Sequence, residues 1–172
     1  MNQTNKIDFR ILSIAPSYRG FGFAVLEGAD TIMEAAYKTV KGDKNAQALK
    51  KVEALIAHYQ PGVVILEDTS AEGSRRWPRI RTLCKQIHKC AVARKVGVKL
   101  YSREQVMKAF LPDGQGTRHA LAEIIANRFP EQLGPQLPPK RKFYMNEDPR
   151  MVIFDAVALA MIFRLKRMKR KA

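Results

Sequence analysis

Short apolar stretches separated by turn residues open the chain. Residues 10–15 (RILSIA) alternate, a turn over 16–19 follows, and 20–27 (GFGFAVLE) and 32–40 (IMEAAYKTV) continue the pattern. Spacing this tight predicts an antiparallel three-strand meander. The period then changes. Over 44–59, Ala48, Val52, Leu55, Ile56 and Tyr59 recur at helical spacing, which predicts a helix with one buried face. The run VVILE at 63–67 is apolar until its last residue, the mark of a central strand covered on both sides.

A polar loop leads to a second helix over 79–95, with Ile80, Leu83, Cys84, Ile87 and Ala91 as its apolar stripe. Residues 96–101 predict another strand. Ser102, with Gln105 three residues on, forms a capping-box pattern for a helix over 103–110. Thr117 is placed to cap a helix through Phe129. The proline-rich stretch 130–147 reads as a surface loop longer than a simple connection needs. Asp148 followed by Pro149 is a start signal for a last helix, apolar through residue 163 and ending in RLKRMKRK. The order predicts an α/β domain over 1–172: a mixed sheet, meander first, with helices on both faces. Residues 1–8 are expected to be flexible, and 164–172 to form a basic tail.

Charge adds a partner to this picture. The chain carries 31 Lys+Arg against 16 Asp+Glu, a formal net charge of +15. Solubility alone needs a net charge of only about 2–8, so the surplus points to a polyanion, and the clustering of the basic residues favours nucleic acid. Arg75, Arg76, Arg79, Arg81, Lys85 and Lys89 follow residue 67 and continue along the second helix; Lys140, Arg141 and Lys142 lie in the long loop; six more cations end the chain. Such clusters suit phosphate-backbone contacts, which give affinity without sequence choice. Tyr18, Phe21, Trp77 and Phe143 are candidates to stack on unpaired bases, with core packing the competing role for Phe21.

No apolar run approaches the ~18 residues of a membrane span, and the first ten residues lack a signal-peptide core. Cys84 and Cys90, six residues apart on one helix, would sit about 9 Å apart along its axis, too far for a disulfide. A cytoplasmic protein with no membrane partner is expected. The histidines show no metal-ligand spacing.

Two carboxylates stand in apolar surroundings: Glu67 at the end of its strand, and Asp155, the only charged residue between Met151 and Phe163. A lone buried carboxylate costs several kcal/mol unless it is paired. Either each merely caps a loop or meets a surface lysine, or the two converge on a divalent metal, for which oxygen ligands suit Mg²⁺ or Mn²⁺.

The order of these elements resembles the ribonuclease-H-like fold and, within it, the RuvC family of Holliday-junction resolvases. The resemblance rests on ILSIAPSYRGFGFAV at 11–25, VVILEDTS at 63–70, GQGTRHALAEII at 114–125 and FDAVALA at 154–160. It implies four acids holding two metal ions that clamp an in-line phosphodiester cleavage, and a basic residue near the site that falls on Arg118. Glu67 and Asp155 match two of the acids, as catalytic and metal-binding positions. The other two fall on Ala15 and Val152, which cannot bind metal. Asp68 and Asp148 are poorly placed to substitute, and Ser13 is only a weak neutral ligand. DNA contacts are expected from Arg19, Arg75, Arg76, Arg79, Lys85, Arg118, Lys140, Arg141 and Lys142. The helix over 79–95 is expected to contribute to a homodimer interface. The leading expectation is a binder of branched, four-way-junction DNA with weakened or absent nuclease activity. Its rivals are an active Mg²⁺-dependent (or Mn²⁺-dependent) junction endonuclease with an unusual ligand set, and a DNA-tethered scaffold for recombination or mobile-element proteins.

Overall fold

The computed structural model of the protein describes residues 9–28 and 31–171; the flexibility expected of residues 1–8 falls outside them. β1 (Arg10–Pro16), β2 (Gly20–Glu27) and β3 (Thr31–Thr39) form the antiparallel meander. β4 (Val63–Glu67) then inserts parallel to β1, and β5 (Gly97–Tyr101) parallel to β4. Among the described residues this makes one five-stranded mixed sheet, ordered β3–β2–β1–β4–β5.

Side-chain alternation divides the core between two faces. Leu12, Ile14, Phe21, Phe23, Val64 and Leu66 pack beneath α1 (Lys44–Tyr59) and α2 (Pro78–Ala93). Ile11, Ala15, Ala24, Val63 and Ile65 face the other layer, built from α3 (Arg103–Phe110), α4 (Arg118–Arg128) and α5 (Met151–Lys171). This second face carries the site. Its strand residues are small where α5 crosses. A Cβ on Gly22 would stand 2.2 Å from the Val152 carbonyl oxygen, so glycine is what lets the helix lie against β2. Ser13 is fully buried on the same face and donates its hydroxyl to the Ala156 carbonyl at 2.5 Å. That bond ties β1 to α5 and satisfies a polar group that would otherwise be orphaned in the core.

The caps follow the sequence signals. Ser102 and Gln105 form the capping box of α3, and Thr117 accepts the Ala120 N–H at the start of α4. The last helix starts two residues later than its Asp–Pro signal suggests. Asp148 accepts the Arg150 N–H, the Met151 N–H bonds back to the Asp148 carbonyl, and Pro149 sits in this turn, with the regular helix beginning at Met151. The basic end of the chain continues α5 as helix through Lys171. The loop before α5 is not wholly a surface segment: Leu133 is fully buried and Pro138 is buried, so apolar anchors hold it at two points. Both cysteines are free thiols; burial pushes the Cys84 thiol up to about 12, with the Glu67 charge adding to the effect. Among the described residues no helix is long and apolar enough to cross a membrane.

Candidate active-site pocket and nucleic-acid surface

β1 and β4 run parallel and end together, and the helices of the second layer close over their C-terminal ends. The resulting cavity, about 330 Å³, is lined by Ala15, Glu67, Arg76, Arg103, Arg118, Glu147 and Asp155 among others. Strand register explains two of this set. Ser13 pairs with Ile65, so two residues further on Ala15 and Glu67 stand side by side, pointing to the α5 face. α5 supplies Asp155 from above.

Each carboxylate faces a guanidinium. Arg118 grips Asp155 with two donors: its Nε reaches Oδ1 at 3.1 Å and one terminal nitrogen bonds Oδ2. Its other terminal nitrogen lies 2.5 Å from Glu147 Oε1. Burial alone would lower the pKa of Arg118, but the charges and hydrogen bonds of Asp155 and Glu147 outweigh it and raise the value. This is a planar fork used on both sides.

The Glu67 corner is looser. Arg76 Nε stands 3.0 Å from Glu67 Oε2. The angle is poor, so both buried atoms lack a hydrogen bond. Arg76 also donates to the Pro16 carbonyl. Burial pushes the Glu67 carboxyl up; Arg76 opposes this and the Asp155 charge adds to it. Glu67 is thus held by a nearby charge without the close fit that Asp155 enjoys.

These residues do not fit a pair of divalent ions. Glu67 and Asp155 already face arginines, and Ala15 offers no oxygen. Val152 is buried, lies outside the cavity lining, and presses its carbonyl and side chain toward Gly22. Three residues of helix separate it from Asp155, a rotation of about 60°, enough to turn it from the cavity to β2. The other oxygen-bearing neighbours are engaged elsewhere. Ser13 bonds to α5, Asp68 accepts from the backbone N–H and hydroxyl of Ser70, and Asp148 is paired with Arg150 at 2.8–3.0 Å. Among the described residues no three His, Cys, Asp or Glu side chains gather as a metal site.

The basic residues divide among several places. Arg19, Lys140 and Arg141 join Arg118, His119 and Glu147 around a second cleft of about 540 Å³. Lys142 is exposed beside it in sequence, outside its lining. Arg75 is exposed on the loop after β4, where it lines a third cavity with Arg76 and Arg103. Arg79 is committed internally, bonding Asn45 and the carbonyls of Ser17 and Tyr18, so the basic stripe expected along 75–89 is interrupted. Lys85 and Lys89 lie apart from the pocket on the outer face of α2, beside Val92. Phe21 is a core residue, 1% exposed. Tyr18 and Trp77, by contrast, are exposed and meet edge-on at 6.0 Å, with Lys44 Nζ 3.7 Å from the Tyr18 ring centre. Phe143 is almost fully exposed beside Tyr144.

Sequence reasoning missed Glu147 and Arg103. Neither breaks a hydrophobic pattern, because both lie in polar surroundings (NEDPR and SREQ) where a charge is unremarked. Only the fold places them at the pocket.

The sheet order, the parallel β1–β4 pair and the helix across it define a ribonuclease-H-like fold of the RuvC type. The solved structure of Thermus thermophilus RuvC superposes with a TM-score of 0.67 at 16% identity, covering 94% of this chain and 97% of that one. T. thermophilus RuvC in complex with a Holliday junction substrate gives 0.63 at 16% identity, covering 93% and 96%. The yeast mitochondrial Holliday junction resolvase Ydc2 gives 0.61 at 12% identity, covering 92% and 78%. At these identities the likeness establishes the fold. No protein-family model matches the sequence, and no curated protein matches it either.

Proposed function

We propose that this protein binds branched DNA of the four-way-junction type, as a homodimer, and that its nuclease activity is weakened or lost. The observation that carries the second half is the pairing of both retained acids, Glu67 and Asp155, with arginines of the same chain, beside an apolar Ala15. A pocket balanced in this way has little negative charge left to attract Mg²⁺ or Mn²⁺. Supporting the first half are the net charge of +15, the exposed cations Arg19, Lys140 and Arg141 in one cleft beside the pocket, and the likeness in fold to a RuvC solved on a Holliday junction. The exposed Tyr18–Trp77 pair offers a stacking surface for bases unpaired at a branch point.

The test is direct. Affinity for a four-way junction should exceed that for a linear duplex of equal length at ~150 mM salt, and should fall steeply with salt because phosphate contacts release counterions. Equal affinities would remove the junction reading. With Mg²⁺ or Mn²⁺ added, the bound junction should remain uncut; efficient cleavage that Glu67→Gln abolishes would overturn the loss of nuclease activity.

A further inference from the structure

The acid pocket and the basic cleft share two lining residues, Arg118 and Glu147. Their ion pair therefore forms a partition between the two spaces. Asp155 holds one edge of the Arg118 fork with two bonds, and Glu147 covers the remaining terminal nitrogen at 2.5 Å. The two acids differ in what holds them. Asp155 lies on a packed helix, whereas Glu147 ends the long loop and its side chain is 46% exposed, against 22% for Arg118. On the cleft side, Arg19, Lys140 and Arg141 make no ion pair among the described residues.

We propose that Glu147 is a stand-in for phosphate: its carboxylate occupies the place on Arg118 that a DNA backbone phosphate takes, and its displacement joins pocket and cleft into one groove. This rests on the DNA-binding reading above and deepens it by naming where a phosphate enters. The chemistry favours exchange. Arg118 is only 22% exposed, so its remaining nitrogen is poorly served by water and a second anion there is favoured. Carboxylate and phosphate oxygens both accept from the one guanidinium nitrogen that Asp155 leaves open, and a half-exposed carboxylate released from it is readily resolvated. The unpaired cations of the cleft then favour the anion that belongs to a longer polyanion, because they hold the neighbouring phosphates.

Inorganic pyrophosphate provides a probe that does not depend on DNA. It would be titrated calorimetrically at low salt into the full chain and into Glu147→Gln. Glu53→Gln controls for loss of one negative charge, since Glu53 pairs with Arg94 on the opposite layer. Glu147→Gln should bind pyrophosphate roughly three- to tenfold more tightly, in the range of one partly exposed ion pair, and Glu53→Gln less than about twofold. Adding Arg118→Lys to Glu147→Gln should cancel the gain, because an ammonium lacks the fork. A gain no larger than that of Glu53→Gln, or one that survives Arg118→Lys, would overturn the stand-in. A parallel junction titration separates the two readings. A pyrophosphate gain without any DNA binding retains the anion site and removes the DNA reading. DNA binding without a pyrophosphate gain does the reverse.

Discussion

The charged and the apolar positions of the site stand on the same three elements, β1, β4 and α5, yet they behave as different materials. At positions 67 and 155 the chain has carboxylates, and arginines from outside those elements, Arg76 and Arg118, come to meet them. At positions 15 and 152 it has apolar side chains, with 6% and 7% exposure: Ala15 in the wall of the charged cavity, Val152 packed against β2. A cleft designed for two cations needs several anions in one place, and here the anions are fewer and their counter-charges are supplied by the protein. The comparison teaches that carboxylates set among apolar strands and helices can have their charge closed internally by arginines of the same chain. It also shows that the two charged corners are unequal, Asp155 being held by a bidentate fork and Glu67 by a misaligned contact.

The largest effect should come from placing charge on the apolar side. Val152→Asp buries a carboxylate against the backbone of β2 with no cation at hand, and should cost about 4 kcal/mol or more, read from urea denaturation. Ala15→Asp opens instead on a cavity lined by Arg76, Arg103 and Arg118 and should cost only about 1–2 kcal/mol. Equal losses would mean that the cavity arginines do nothing for a carboxylate at position 15 and that the two apolar positions do not differ as their surroundings do.

Asp155→Ala comes next. It strips the bidentate partner from Arg118 and leaves Glu147 to hold the guanidinium alone. A fully buried pair broken on one side loses about 3–5 kcal/mol; with both side chains about a quarter exposed, about 2–3 kcal/mol is expected. A loss below that of Glu67→Gln would reverse the ranking of the two corners.

Glu67→Gln should change stability at neutral pH by about 1 kcal/mol or less, because removing the charge also removes its desolvation cost. Its signature lies in the pH dependence. Burial raises the folded-state pKa of Glu67 above its usual 4.5, so the folded protein binds this proton more tightly than the unfolded chain. Its contribution to stability is therefore greatest below 4.5 and is lost as pH rises through the raised folded value. The difference in unfolding free energy between the protein and Glu67→Gln should drift in favour of the variant over that window. A constant difference would show that Arg76 compensates the burial fully.

Much of this molecule was written locally. Apolar patterning marked the meander strands, β4, α1 and α2, because each needs buried positions at its own period, and the Ser102 and Thr117 caps mark the starts of α3 and α4 through bonds that span only three residues. The oddity of Glu67 and Asp155 was visible for the same reason: a carboxylate in an apolar run interrupts a pattern. The RuvC-type topology was legible from the order of those elements. What lay beyond the sequence were contacts between distant segments. Arg118 reaches Asp155 across 37 residues, and Arg76 turns back onto Glu67 instead of extending the basic stripe. Glu147 enters the pocket from a loop with no periodicity to read. Val152 shares a helix with Asp155 but turns to Gly22, because the absence of a Cβ there sets how closely α5 lies on β2. Periodicity reports which face of an element is buried; which charges meet across that face depends on packing distances and helix rotation, and these exist only once the tertiary structure has formed.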